Sequence, residues 1–366
     1  RLHAAGNGDL ALTSEGVVRW LGDPVARLTS TDHILHPRVI LLADEQLTGP
    51  ARDHVAAHIE RFVNHHIATV LKPLDDLSRA EDLEGLAKGL AFQLVENLGV
   101  LFRRDVAEEV KSLSQEHRAA LRKLGVRFGA YHVFMPALLK PAPAELITLL
   151  WALKNDAMDK PGYGDLIPVL AAGRTSVVTD HAIERNFYRL AGFRFLGKRA
   201  VRIDILERLA DLIRPLLQWK PESGKRPDGA YDGRRFVTEP AILSILGATP
   251  DDMEEILKGL GYRADSVTAE EAAAFLAAQD AKSAPAEGTA APAAAEAAAE
   301  DDTADSDASQ EQEEQPTEAA APAETSTSEA VATEDVTGAA PADAAAAGEA
   351  PAEEAAPKPV LLWRPG

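Results

Sequence analysis

Apolar and polar positions divide the chain into stretches of different period. Residues 9–13 (DLALT), 17–21 (VVRWL) and 25–29 (VARLT) are short apolar runs split by Glu15-Gly16 and Gly22-Asp23-Pro24. Short runs bounded by turn residues predict a small antiparallel meander. Residues 39–43 add one more apolar run. Residues 49–154 read mostly as helix. Ser78, followed three residues later by Glu81, has the form of a capping box and predicts a helix through about Leu98. Ser114 predicts the cap of a short helix ending at Gly125, where glycine accepts the left-handed conformation. The aromatic and β-branched content of residues 126–136 predicts an extended segment, and helix resumes at 144–154.

Pro161, Gly162, Gly164, Pro168 and Gly173 make residues 160–176 loop-rich. A short helix is expected at 180–190. Apolar runs at 193–196 and 200–203 flank Gly197-Lys198 and predict a hairpin, followed by a helix at 204–217. Pro221, Gly224, Pro227, Gly229 and Gly233 mark a linker at 220–235. Residues 236–264 form a small module: a strand at 236–238, a helix at 240–246 ended by Gly247, then Thr249-Pro250 opening a second helix with Asp252 at its third position, and a strand at 262–264. A helix at 269–279 follows. The reading is an α+β chain, mostly α-helical. Its parts are a small β-meander (1–45), a helical block (46–160), a basic hairpin-and-helix unit with linker (161–235), a helix-turn-helix-like module (236–280) and a long acidic tail (281–366).

Composition sharpens the last boundary. The chain has 366 residues and a net charge of −20. From residue 281 onward there are 19 acidic and 3 basic side chains, so residues 1–280 carry a net charge of only −4. No Phe, Tyr or Trp occurs between Phe275 and Trp363. A stretch of Ala, Glu, Asp, Pro, Thr and Ser buries too little apolar area to offset the entropy of ordering, so the tail is expected to be disordered. Cysteine is absent, which excludes disulfides, thiolate metal sites and a cysteine nucleophile and fits a reducing, cytoplasmic compartment. No apolar run approaches the ~18 residues needed to cross a bilayer. The chain opens on Arg1 and stops at Trp363-Arg364-Pro365-Gly366, and we expect it to be a piece of a longer protein.

Most motif-like spacings have a plain explanation. Residues 192–199 (GFRFLGKR) have the Gly-x4-Gly-Lys spacing of a phosphate loop, but Arg199 stands where a magnesium-binding hydroxyl is required, so a hairpin is expected. The run 39–45 (VILLADE) has the form of the strand-plus-acids pattern that holds magnesium in ATPases, but no phosphate loop precedes it and a helix cap or turn is expected. His54, His58 and His65 share one face of a predicted helix. That spacing suits zinc, but a wet polar face accounts for it, and no metal site is assigned. There is no Gly-x-Ser-x-Gly elbow and no distinctive acid pair, so no catalytic residue is assigned.

The most informative feature is basic. Residues 185–235 carry 13 basic and 6 acidic side chains with Phe187, Tyr188, Phe193, Phe195, Trp219 and Tyr231 interleaved. Cations neutralise phosphates and aromatic rings stack on unpaired bases. Arg189, Phe193, Arg194, Lys198, Arg199 and Arg202 are therefore the candidate nucleic-acid-binding residues. The competing reading is a solvated face that balances acidic neighbours, with the aromatics in the core. In the 236–264 module the second helix carries Asp251, Asp252, Glu254 and Glu255 against Lys258. That face would repel a phosphate backbone, so packing is expected there rather than DNA reading.

Three segments resemble a known family. Residues 17–26 (VVRWLGDPVA), 125–143 (GVRFGAYHVFMPALLKPAP) and 199–215 (RAVRIDILERLADLIRP) are similar to the region after the motor core of alphaproteobacterial DExH-type helicases, relatives of the mitochondrial degradosome RNA helicase. The likeness covers most of residues 8–264, and an Ala/Glu-rich tail before Trp-Arg-Pro is similar too. The resemblance implies ATP-dependent motor domains upstream of Arg1, with ATP and magnesium bound there and no cofactor in this chain. The family's phosphate loop, DExH box and arginine finger have no counterpart here. The expectation is a non-catalytic accessory region of a nucleic-acid helicase that binds single strands, RNA in particular. The alternative is a scaffold that docks the motor or a nuclease partner. No membrane partner is expected.

Overall fold

The computed structural model describes residues 6–42, 48–221, 223–283 and 358–366, all within one compact unit. About half of the described residues are helical, and the strands form several small antiparallel sheets. Strands β1 (Leu10–Leu12), β2 (Val17–Trp20), β3 (Asp23–Thr29) and β4 (Arg38–Leu41) pair in sequence order. Asp44 and Glu45, the acids of the strand-plus-acids pattern, lie outside the described residues.

Helix α1 (Pro50–Val70) starts with proline at its first position, where a missing N–H costs nothing. Val55, Ile59, Phe62, Val63 and Ile67 recur on one face and are buried. Helices α2 (Lys72–Ser78) and α3 (Gly85–Glu96) follow. Here the expectation at Ser78 fails. Ser78 ends α2, and its hydroxyl donates to the carbonyl of Asp75 at 2.7 Å. A serine serves a free carbonyl at a helix end as readily as a free N–H at a helix start. The next apolar stripe begins at Ala87.

Strand β5 (Val100–Phe102), a 3-10 turn (Arg103–Val106) and helices α4 (Ala107–Ser112) and α5 (Gln115–Lys123) come next. Ser114 caps α5, accepting from the His117 N–H at 3.2 Å. Strands β6 (Arg127–Phe128) and β7 (His132–Phe134) complete a sheet of order β5-β7-β6 with β7 fully buried. Helix α6 (Pro141–Asn155) runs through the core, and α7 (Leu166–Ala171) lies in the loop-rich stretch.

Strand β8 (Ser176–Val178), helix α8 (Arg185–Leu190) and strands β9 (Phe193–Leu196) and β10 (Arg199–Arg202) make a sheet of order β8-β10-β9. The phosphate-loop-like spacing is thus a β-hairpin turning at Gly197-Lys198. Helix α9 (Ile203–Gln218) continues directly from β10. Helices α10 (Pro240–Leu246) and α11 (Pro250–Leu260), strand β11 (Tyr262–Val267) and helix α12 (Ala269–Ser283) close the fold. Thr249 and Asp252 form the reciprocal cap of α11.

Two further expectations are corrected. Within the expected linker, residues 226–235 are packed: Ala230 and Tyr231 are buried, Tyr231 stacks on Phe275 at 4.4 Å, and Arg226 pairs with Asp280 at 2.7 Å. The part assigned to a disordered tail also contains structure at its end. Residues 360–365 form strand β12 (Val360–Pro365), antiparallel to β11 from Tyr262↔Pro365 to Val267↔Val360. Leu362 and Trp363 are buried there, Trp363 against the cluster built on Leu206, Leu209, Phe236 and Ile256. The apolar run 360–363 supplies the buried area that anchors this strand; residues 284–357 lie outside the described residues. No helix among the described residues is long and apolar enough to cross a membrane.

Candidate nucleic-acid interface

A cleft of about 430 Å³ opens between β5, α8, β9 and the end of α11. Phe102 of β5 and Phe195 of β9 are half-buried and line it. Each carries a guanidinium on its face. Arg194 stands 5.0 Å and Arg104 5.5 Å from the Phe102 ring centre, and Arg185 stands 4.7 Å from that of Phe195. Arg189 lines the same wall.

The electrostatics of this wall are uneven. Arg104 is exposed and pairs with Asp105 at 3.3 Å. Among the described residues no carboxylate lies within ion-pair distance of Arg185, Arg189 or Arg194. Arg189 donates to the Asn97 carbonyl at 3.3 Å and Arg194 to the Gly259 carbonyl at 3.2 Å. Burial lowers both from the ordinary arginine value, for Arg194 with help from the nearby Arg104 charge. Glu207 and Asp105 act on Arg194 only at longer range, and a part-buried cation without a direct carboxylate partner has electrostatic capacity left for an anion.

The six candidates from sequence divide in two. Arg189, Phe193 and Arg194 come together at the cleft. Phe193 is 1% exposed, so its ring belongs to the core and has no free face for a base. Lys198, Arg199 and Arg202 each face a carboxylate, Lys198 from a largely exposed position. Glu255 of α11 accepts the Lys198 backbone N–H at 2.9 Å and lies 3.3 Å from its ammonium. Those contacts hold the Glu255 carboxyl below its ordinary value, the backbone hydrogen bond most of all. Arg199 donates to Ser176 Oγ at 2.6 Å and lies 3.6 Å from Asp252, while Ser176 donates to the Leu246 carbonyl at 2.6 Å. Arg202 grips Asp204 through two bonds of 2.7 and 2.8 Å. The acids of α11 therefore meet the tip of the hairpin. Phe187, Tyr188, Trp219 and Tyr231 are buried as well.

Beneath the cleft is a buried polar cluster with no precedent in the sequence reading. The turn at Gly129-Ala130-Tyr131 points three successive N–H groups, of Ala130, Tyr131 and His132, at the carboxylate of Glu207 on α9. His132 Nδ1 meets the same carboxylate at 2.9 Å. Such a nest of backbone donors stabilises an anion. The Tyr131 hydroxyl also bonds that of Tyr262 on β11 at 2.8 Å. The signal available in sequence was Glu207 itself, a carboxylate inside the apolar stripe of Ile203, Leu206, Ala210 and Ile213. Phe102 and Arg104 were missed because they lie some 90 positions from the hairpin they face.

His54, His58 and His65 all lie on α1. Among the described residues, no group of three or more His, Asp or Glu side chains is placed to hold a metal ion. Comparison with known proteins gives no match among family models, curated proteins or solved structures.

Proposed function

We propose that this chain is a non-catalytic accessory region of an ATP-dependent nucleic-acid helicase and that it binds single-stranded RNA. The observation that carries this reading is the cleft in which Arg185, Arg189 and Arg194 lack carboxylate partners beside the half-buried rings of Phe102 and Phe195. Guanidinium groups suit phosphates, and the rings suit unstacked bases. The resemblance of residues 125–143 and 199–215 to helicase C-terminal regions is what favours a helicase as the parent enzyme. ATP and magnesium belong to motor domains upstream. The α10–α11 pair is a helix-turn-helix-like module used for packing, because Asp252 and Glu255 bind the hairpin. A cysteine-free chain suits the reducing cytoplasm.

The test is fluorescence anisotropy of a labelled single-stranded RNA titrated with the full chain at several salt concentrations. Three to four phosphate contacts would give a log–log slope of about −2 to −3. Arg185→Glu combined with Arg194→Glu should weaken binding and flatten that slope. Unchanged affinity in this double variant would remove the site. No binding even at low salt would favour docking of the motor or a nuclease.

A further inference from the structure

Water can meet any N–H of the cleft, but it carries no charge, so the formal charges decide what else belongs there. Arg104 is paired with Asp105, and Lys198, next to the lining residue Gly197, is paired with Glu255. The Glu207 charge beneath is met by three backbone N–H groups. Arg185, Arg189 and Arg194 remain, three cations of one cleft without a carboxylate at ion-pair distance among the described residues. They are also held in place. Arg189 and Arg194 each spend one arm on a main-chain carbonyl, and Arg185 and Arg194 rest against phenylalanine rings. Guanidinium forks ordered in advance lose little freedom when they meet an anion.

The space that these three line is small. About 430 Å³ suits one small molecule, whereas a groove that tracks a strand covers roughly 4–16 nucleotides. An internal link of a strand brings one negative charge and two free oxygens to such a space. A terminal phosphomonoester brings about 1.5–2 charges at pH 7 and three oxygens, a closer match to three guanidinium groups. We infer that the cleft takes the phosphorylated end of a single strand, with the phosphomonoester among Arg185, Arg189 and Arg194 and the terminal nucleoside beside Phe102 and Phe195. The inference rests on the strand-binding reading and deepens it: the ligand is a strand that ends in the cleft rather than one that runs through it. A 5′-phosphate and a 3′-phosphate offer the same chemistry, and the experiment separates them.

The experiment titrates internally labelled uridine decamers with the full chain and reads anisotropy. The decamers are hydroxyl-ended, 5′-phosphorylated, 3′-phosphorylated, and the last two as phosphate methyl esters. A phosphate at one end or both should tighten binding about tenfold over the hydroxyl-ended strand, and the methyl ester, which removes a charge, should abolish that gain. The end that gains gives the polarity, and a gain at either end supports the inference. Equal affinity for all five, with a steep salt dependence, overturns it and leaves strand binding standing. A gain that the methyl esters keep also overturns it, because a single added charge then suffices. No binding of any decamer at low salt overturns the strand-binding reading and this inference with it. Arg185 is exposed, so Arg185→Gln should fold and lose much of the gain. An undiminished gain in that variant would take the phosphate out of this cleft.

Discussion

The carboxylate of Glu207 fills the space that a side chain at position 129 would occupy. Glycine there lets the turn close on the carboxylate with three N–H groups aimed inward. Gly129→Ala should push the carboxylate out of its nest. Hydrogen bonds to a charged group contribute about 1.5–3 kcal/mol each, so a loss of at least ~2 kcal/mol is expected. Glu207→Gln keeps the shape and should cost less. Urea unfolding of the full chain measures both. A wild-type midpoint for Gly129→Ala would show that the carboxylate is free to sit elsewhere.

Trp363 and Phe236 exchange two backbone hydrogen bonds, of 2.8 and 2.9 Å, and Trp363 is 2% exposed. Trp363→Ala removes a large side chain from the second core cluster and should cost about 3–5 kcal/mol. A chain ended at residue 357 should lose at least as much. Thermal unfolding reads the effect, and an unshifted midpoint in either variant would mean that β12 adds nothing to the fold.

What could be read from sequence was local. The meander, the Ser114 cap, the 193–202 hairpin and the Thr249 cap each follow from neighbouring residues. The failures needed information from far along the chain. Ser78 looks alike at either end of a helix. Residues 226–235 pack where Phe275 and Asp280 come back to them. A charge count could not tell the basic side chains that Asp252, Glu255 and Asp204 neutralise from those left open at the cleft. His132 was visible in an extended segment, but its partner lies 75 positions away.

Acid should weaken the fold before it protonates many carboxylates. His132, His66 and His36 all sit below their ordinary value of 6.5, each chiefly through burial. The native state therefore favours the neutral ring, while the unfolded chain takes up protons near pH 6.5. The stability from these groups is fully present above about 6.5 and is lost as pH falls below it, towards the depressed native values. The thermal midpoint should drop between pH 7 and pH 5.5. A flat profile over that range would contradict the burial argument.

Stability and strand binding should separate along the hairpin. Arg199 joins Ser176 to Asp252, so Arg199→Ala should destabilise by about 1–3 kcal/mol and leave RNA affinity unchanged. Arg185 rests on the Phe195 face, so Arg185→Glu should reduce affinity with little change in melting. Anisotropy and thermal unfolding on the same samples decide it. Loss of RNA affinity in a folded Arg199→Ala chain would move the binding surface to the hairpin tip.

The pairing of β11 with β12 also sets a timetable. Synthesis runs from the N-terminus, so helices α9 to α12 are complete while Trp363 is still some 80 residues from being made. At about 5–20 residues per second, the interval is on the order of ten seconds. Throughout it the second core lacks one of its two tryptophans, and β11 offers an unpaired edge to any neighbouring nascent chain.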